Sequence, residues 1–116
     1  MNFVFVFVGG GLGCVTRYII GLLLQKTELN LPLATLLSNV LACVIFSLVL
    51  TYLQDKNNSE TFKLLLLTGF CGGLSTFSTF SYESYLLIKQ NQIFWVSVNM
   101  ITSVLLCVST FFIIKK

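Results

Sequence analysis

Four apolar runs, about Asn2 to Leu24, Pro32 to Leu53, Lys63 to Ile88 and Ile93 to Ile114, take up nearly the whole chain. Each is close to the roughly 20 residues that a helix needs to cross a hydrocarbon core about 30 Å thick. Of the 116 residues, 56% are hydrophobic and only 9% charged, which leaves too little polar surface to clothe a soluble domain. The pattern predicts an all-α integral membrane protein, a single four-helix membrane domain over residues 1–116 whose spans follow those runs. The connecting stretches QKTELN, QDKNNSE and KQNQ are too short to fold by themselves, so function is expected to reside within the spans. The first run is expected to stay as a helix, because it exceeds the roughly 7–15 apolar residues of a secretory signal and carries no small-x-small cleavage site.

The same residues argue against several functions. Cys14, Cys43, Cys71 and Cys107 lie in apolar runs without CxxC spacing, and the chain has no histidine, so neither a disulfide framework nor a zinc site is indicated. They read as small packing residues. A net charge of +3 with no basic run does not make a nucleic-acid surface, and no nucleophile and base pair suggests an enzyme. The basic residues speak instead to topology. If four helices cross in alternation, Lys56, Lys63, Lys115 and Lys116 share one side, facing Lys26, Lys89 and, by its long stem, Arg17. Orientation follows the Lys and Arg bias, and a balance this even predicts insertion in both orientations.

Polar residues inside the spans carry the functional signal. Gly9 and Gly13 have the GxxxG spacing of close helix packing. Arg17, about 10 Å from the end of the first span at the helical rise, reads either as an anchor or as part of an anion-attracting vestibule, since a buried guanidinium is costly. Asn39, with Thr35 one turn before it, brings N–H donors that need partners. In the third span Gly69, Gly72 and Gly73 are poor helix formers, and Ser75, Thr76, Ser78, Thr79 and Ser81 follow at once. The pattern predicts a broken helix, with Gly72 at a crowded backbone approach. Such breaks are tolerated where they are buried in protein or line a cavity, and they form ion sites. So much polarity in so small a unit also predicts an oligomer that covers it.

Phe77 and Phe80 share a face beyond the break, with Ser78 and Thr79 beside them and Glu83 continuing the row. Aromatic packing is one reading. Anion passage is the other: a phenyl ring is positive at its edge, and hydroxyl and amide donors replace water around a small anion. A path without fixed cations would also let the anion leave. Phe111, near the end of the last run, is expected to face lipid.

The segments GGGLGCVTRY, TLLSNVLA and above all GFCGGLSTFSTFSYE resemble the three signature segments of the Fluc, or CrcB-type, fluoride channels, and the four-span layout matches along essentially the whole chain. The resemblance implies an antiparallel dual-topology homodimer in the cell membrane, with two fluoride pores each built from both subunits and passive export of fluoride. Its partners would be the fluoride ion, the lipid bilayer and a second copy. By motif position, Phe77 and Phe80 correspond to the family's pore phenylalanines and Asn39 to its pore asparagine. Thr35, Ser78, Thr79 and Ser103 join the expected polar track, with Arg17 and Glu83 at the vestibule. Gly72 and Ser75 fall where the family's backbone carbonyls hold a central structural Na+. Ser75 stands where the family usually has Thr, an exchange that a carbonyl ligand tolerates, and Ala42 and Cys43 stand near a usual Gly, small-for-small changes that bear on helix packing distances. The alternative is a small multidrug-type proton-coupled transporter, also a four-span dimer, which would need a membrane-embedded carboxylate. A purely structural subunit would leave the broken helix unexplained.

Overall fold

The computed structural model describes residues 2–24, 33–52 and 59–114. Helix α1 covers Asn2–Leu24 and α2 covers Leu33–Tyr52. The third span, Glu60–Lys89, is built in pieces: α3 (Ser59–Lys63), a π-helical stretch (Leu64–Cys71), α4 (Gly72–Leu74) and α5 (Phe77–Lys89). Helix α6, Ile93–Ile114, ends the described chain. Four segments are long and apolar enough to cross a membrane, as the apolar runs predict, and the third is broken. Helix is the outcome that hydrocarbon imposes, because only there can each backbone N–H and C=O find a partner within its own segment. The span ends expected at Pro32 and Leu53, and Lys26, Lys56, Lys115 and Lys116 of the topology argument, lie outside the described residues.

The glycines act differently from expectation. None has a positive φ, and the helix continues through Gly69, Gly72 and Gly73 before it breaks at Ser75 and Thr76. Their contribution is closeness. Gly9 and Gly13 of α1 lie buried against the third span: a Cβ on Gly9 would strike the Leu65 carbonyl, and one on Gly13 the Phe70 carbonyl. From the other side, a Cβ on Gly69 would stand 2.9 Å from the Gly9 Cα, and one on Gly73 would meet the Gly10 carbonyl. Two backbones thus touch along a seam of glycines, the arrangement that small-residue spacing permits. The wide turns of the π stretch lie along this seam; the Gly72 N–H reaches back to the Leu67 carbonyl.

Within the single chain Gly72 is open: beyond its own adjacent turns, the nearest atom to an added Cβ is the Leu67 carbonyl at 4.0 Å, and the residue is exposed. The crowded approaches inside the protomer are those of Gly9, Gly13, Gly69 and Gly73, and the crowding expected at Gly72 concerns assembly with a second copy. Gly13→Val is therefore expected to cost at least the roughly 1–3 kcal/mol typical of overpacking, because backbone atoms cannot step aside. Gly72→Ala should leave the fold of the protomer intact. Recovery of monodisperse protein in detergent and its thermal stability check the pair, and equal behaviour of the two variants would remove the seam from the account.

Helices α2 and α6 run alongside one another. Phe46 of α2 meets Phe111 of α6 edge to face, with ring centroids 5.8 Å apart. Phe111 is half-buried, which corrects the expectation that it faces lipid; the α2 contact covers it. Phe112, 76% exposed, is the ring that faces outward. Between α5 and α6 the chain turns tightly at Asn91, whose φ of 58° is a left-handed conformation that Asn accepts more readily than most residues. The Asn91 and Gln92 N–H groups close the end of α5 on the Ile88 and Leu87 carbonyls, at 3.0 and 2.9 Å.

Candidate ion pathway

The break is held by side chains that replace the helical ladder. Ser75 (φ −82°, ψ 154°) and Thr76 (φ −153°, ψ 124°) are extended. Ser75 ends the upstream helix by giving both its N–H (3.0 Å) and its hydroxyl (2.8 Å) to the Cys71 carbonyl. Thr76 starts the downstream one as an N-cap, its hydroxyl oxygen accepting the Thr79 N–H at 3.3 Å. The Thr76 N–H donates across to Asn39 Oδ1 on α2 at 2.9 Å. Arg17 reaches in from α1, its Nε donating to the Gly73 carbonyl at 3.1 Å, in place of the donor an unbroken helix would supply from Phe77. The first two spans are thereby tied to the third, α2 at the non-helical Thr76 and α1 at Gly73 just before the break.

The diverted donors leave the Gly72 and Ser75 carbonyls without their helical partners. The i+4 donor for the Gly72 carbonyl would be the Thr76 N–H, which is turned to Asn39, and the i+4 donor for the Ser75 carbonyl would be the Thr79 N–H, which is held by the Thr76 hydroxyl. Both residues line one hollow of about 140 Å³ with Cys43, Cys71 and Phe111. Carbonyl oxygens stripped of their helical donors are hard ligands for a hard cation, so the residues present fit the carbonyl-held sodium ion that the sequence resemblance implies.

Two clefts flank the break and divide the expected polar track. The first, of about 370 Å³, brings together Asn39, Phe77, Phe80 and Ser103 with Ser75, Cys43 and Cys107. Because Oδ1 of Asn39 is committed to Thr76, its Nδ2 hydrogens remain as donors for a visitor. The Phe77 and Phe80 rings lie 6.0 Å apart with planes inclined by 37°, and Phe77, 78% exposed, has most of its ring uncovered by its own chain. The second cleft, of about 520 Å³, gathers Arg17, Glu83, Thr35 and Thr79 with Cys14 and Ser38. Thr35 and Asn39, one turn apart on α2, thus open into different clefts. Ser78 lines neither; it is exposed and shares a 3.3 Å hydrogen bond with the Thr76 hydroxyl.

Other hydroxyls are spent on their own helices. Ser47, Ser84, Ser109 and Thr110 each donate to a carbonyl one turn back, which in the buried Ser47 and Ser84 satisfies the hydroxyl without any site. Asn99 was not anticipated. It is 1% exposed and accepts the Ser103 hydroxyl on Oδ1 at 3.5 Å, while its Nδ2 has no partner. The available signal was a second amide inside an apolar run, four residues before Ser103.

Comparison with known proteins places these residues in context. Residues 4–114 match the family described as CrcB-like protein, Camphor Resistance (CrcB). A relative from Yersinia pestis named Fluoride-specific ion channel FluC 1 is 38% identical over 100 residues, covering 85% of this chain and 79% of that protein. One from Escherichia coli O1:K1, named Fluoride-specific ion channel FluC, is 39% identical over 114 residues, covering 94% and 90%. A Flavobacterium psychrophilum protein of the same name is 41% identical over 91 residues, covering 77% and 73%.

Proposed function

Because the chain belongs to the CrcB-like family, we propose that it is a passive fluoride channel, with the ion moving along the cleft where Asn39, Phe77, Phe80 and Ser103 meet. It is a multi-pass protein of the bacterial plasma membrane and not an enzyme. The observation that carries the assignment of the pathway is the bond from Thr76 N–H to Asn39 Oδ1, which orients a neutral amide so that its donors face the cleft. Phenyl edges then offer weak, graded attraction, and hydrogen bonds replace water piecemeal. Among the described residues no fixed cation lines this cleft, so an anion that enters is free to leave. Arg17 and Glu83 stand in the neighbouring cleft, a vestibule in this reading, where Arg17 is also the anchor of the break.

The test is fluoride efflux from proteoliposomes, electrically released by a potassium ionophore, measured beside proton-driven uptake of organic cations. Rapid fluoride efflux without organic-cation uptake is expected. Proton-coupled cation uptake instead would favour the transporter alternative, with half-buried Glu83 as its embedded carboxylate.

The working unit in this proposal is an antiparallel homodimer in the lipid bilayer, since Phe77 stands open in the single chain and the Lys and Arg counts are nearly even. A single cysteine placed in a loop should be labelled in a substantial fraction of molecules from each side of intact cells; labelling from one side only would reject dual topology. Gly72 and Ser75 would hold a sodium ion through their carbonyls, and the ion, when bound, would neutralise the dipoles gathered at the break. Replacing sodium by a large organic cation on both sides is expected to lower both fluoride efflux and dimer stability. Indifference of both would remove the ion from the proposal.

A further inference from the structure

The fluoride cleft has thiols in its wall that the pathway does not use. Helices α2 and α6 are in matched register: Asn39 stands with Ser103 in one cleft, Phe46 packs on Phe111 further along, and the interval in sequence between partners is the same to within one residue. Cys43 and Cys107 lie one turn beyond Asn39 and Ser103 on their respective helices, so the same register sets them opposite one another. Both line that cleft and both are partly accessible. The other two thiols differ, since Cys71 is buried and Cys14 opens into the second cleft.

We propose that Cys43 and Cys107 form a dithiol site that takes a soft, thiophilic cation in two-coordinate fashion, and that filling it closes the fluoride cleft. Soft thiolates select soft metals such as the cuprous ion. Among the described residues no group of three His, Cys, Asp or Glu side chains gathers, which disfavours tetrahedral, zinc-type coordination and leaves linear binding by two sulfurs. With a divalent probe the step balances as one metal ion plus two thiols giving a sulfur–metal–sulfur bridge and two released protons, with no change of oxidation state. The bridge carries no net charge with a divalent ion, because two thiolates offset it, and its bulk would stand one turn from Asn39, across the cleft. That closure rests on the fluoride pathway proposed above; the metal site itself does not.

Mercuric ion is the probe, applied to the reconstituted protein carrying Cys14→Ser so that the exposed thiol of the other cleft does not titrate. Each ion is expected to remove two free thiols, release two protons and give a bis-thiolate charge-transfer band. Cys43→Ser and Cys107→Ser should each weaken retention against a competing free thiol by about 100-fold, the order lost when two-point attachment becomes one-point. Cys43→Ala gives the same comparison should serine disturb packing. Fluoride efflux should stop on mercury binding and return with a dithiol chelator. Loss of one thiol per ion, or equal retention in the single-cysteine variants, overturns the site. An ion held by both thiols with efflux unaltered upholds the site and removes this cleft from the fluoride pathway. Absence of efflux before any mercury is added counts against the proposed function alone.

Discussion

Asn39→Asp is expected to lower fluoride efflux by about 100-fold, while the protein still assembles and purifies as the parent does. The substitution separates two jobs of one side chain. A carboxylate keeps an oxygen for the Thr76 N–H, so the bond that holds the break, 2.9 Å in the parent, survives. It loses both amide hydrogens and adds a negative charge beside the anion path. A hydrogen bond to a charged partner contributes roughly 1.5–3 kcal/mol, and each 1.4 kcal/mol is about tenfold, so the lost donor and the added repulsion together reach the stated factor. Asn39→Leu is the companion, since it removes the oxygen as well and should also destabilise the break. Efflux in proteoliposomes and elution from a sizing column read the two effects separately. Near-parent efflux in Asn39→Asp would place the fluoride path elsewhere.

Phe80→Ile is expected to suppress efflux to a similar degree with little loss of folded protein. Isoleucine keeps bulk and apolarity but has no positively polarised ring edge. Phe80 lines the cleft opposite Asn39 and leans on Phe77 at 6.0 Å, so the change removes one of two ring edges without opening a large void. Phe112→Leu is the fitting control, because Phe112 is 76% exposed and lines none of the clefts around the break. Phe111 would mislead as a control, since its ring packs on Phe46 beside the hollow shared by Gly72 and Ser75. Efflux that survives Phe80→Ile at the parent rate would leave the phenylalanines as packing residues only.

Much of the architecture was legible because a bilayer removes alternatives. An apolar run of sufficient length has one way to satisfy its backbone within its own segment, so four such runs meant four helices, and the glycines with the hydroxyls that follow them meant a break. The glycines' share in the break was misplaced, however. Glycine weakens a helix in isolation, yet Gly69, Gly72 and Gly73 remain helical because α1 presses on two of them, and a close-packed seam favours the regular backbone. Ser75 and Thr76 break the helix instead, since their side chains and Asn39 take over the hydrogen bonds.

Composition and spacing by themselves determined the solvent, the number of spans, the polar third segment and the residue types that an anion path needs, because each follows from the chemistry of a side chain against hydrocarbon. Only the tertiary structure decided which of those residues meet. Thr35 and Asn39 share a helix face but open into separate clefts, since the bond from Thr76 to Asn39 runs between them. Arg17 became an anchor when a carbonyl 56 residues away lost its helical donor. Cys43 and Cys107, ordinary packing residues when read along the chain, became neighbours through the register of α2 and α6. Periodicity states which way a side chain faces around its own axis; it carries no record of which partner backbone approaches that face, or at what height.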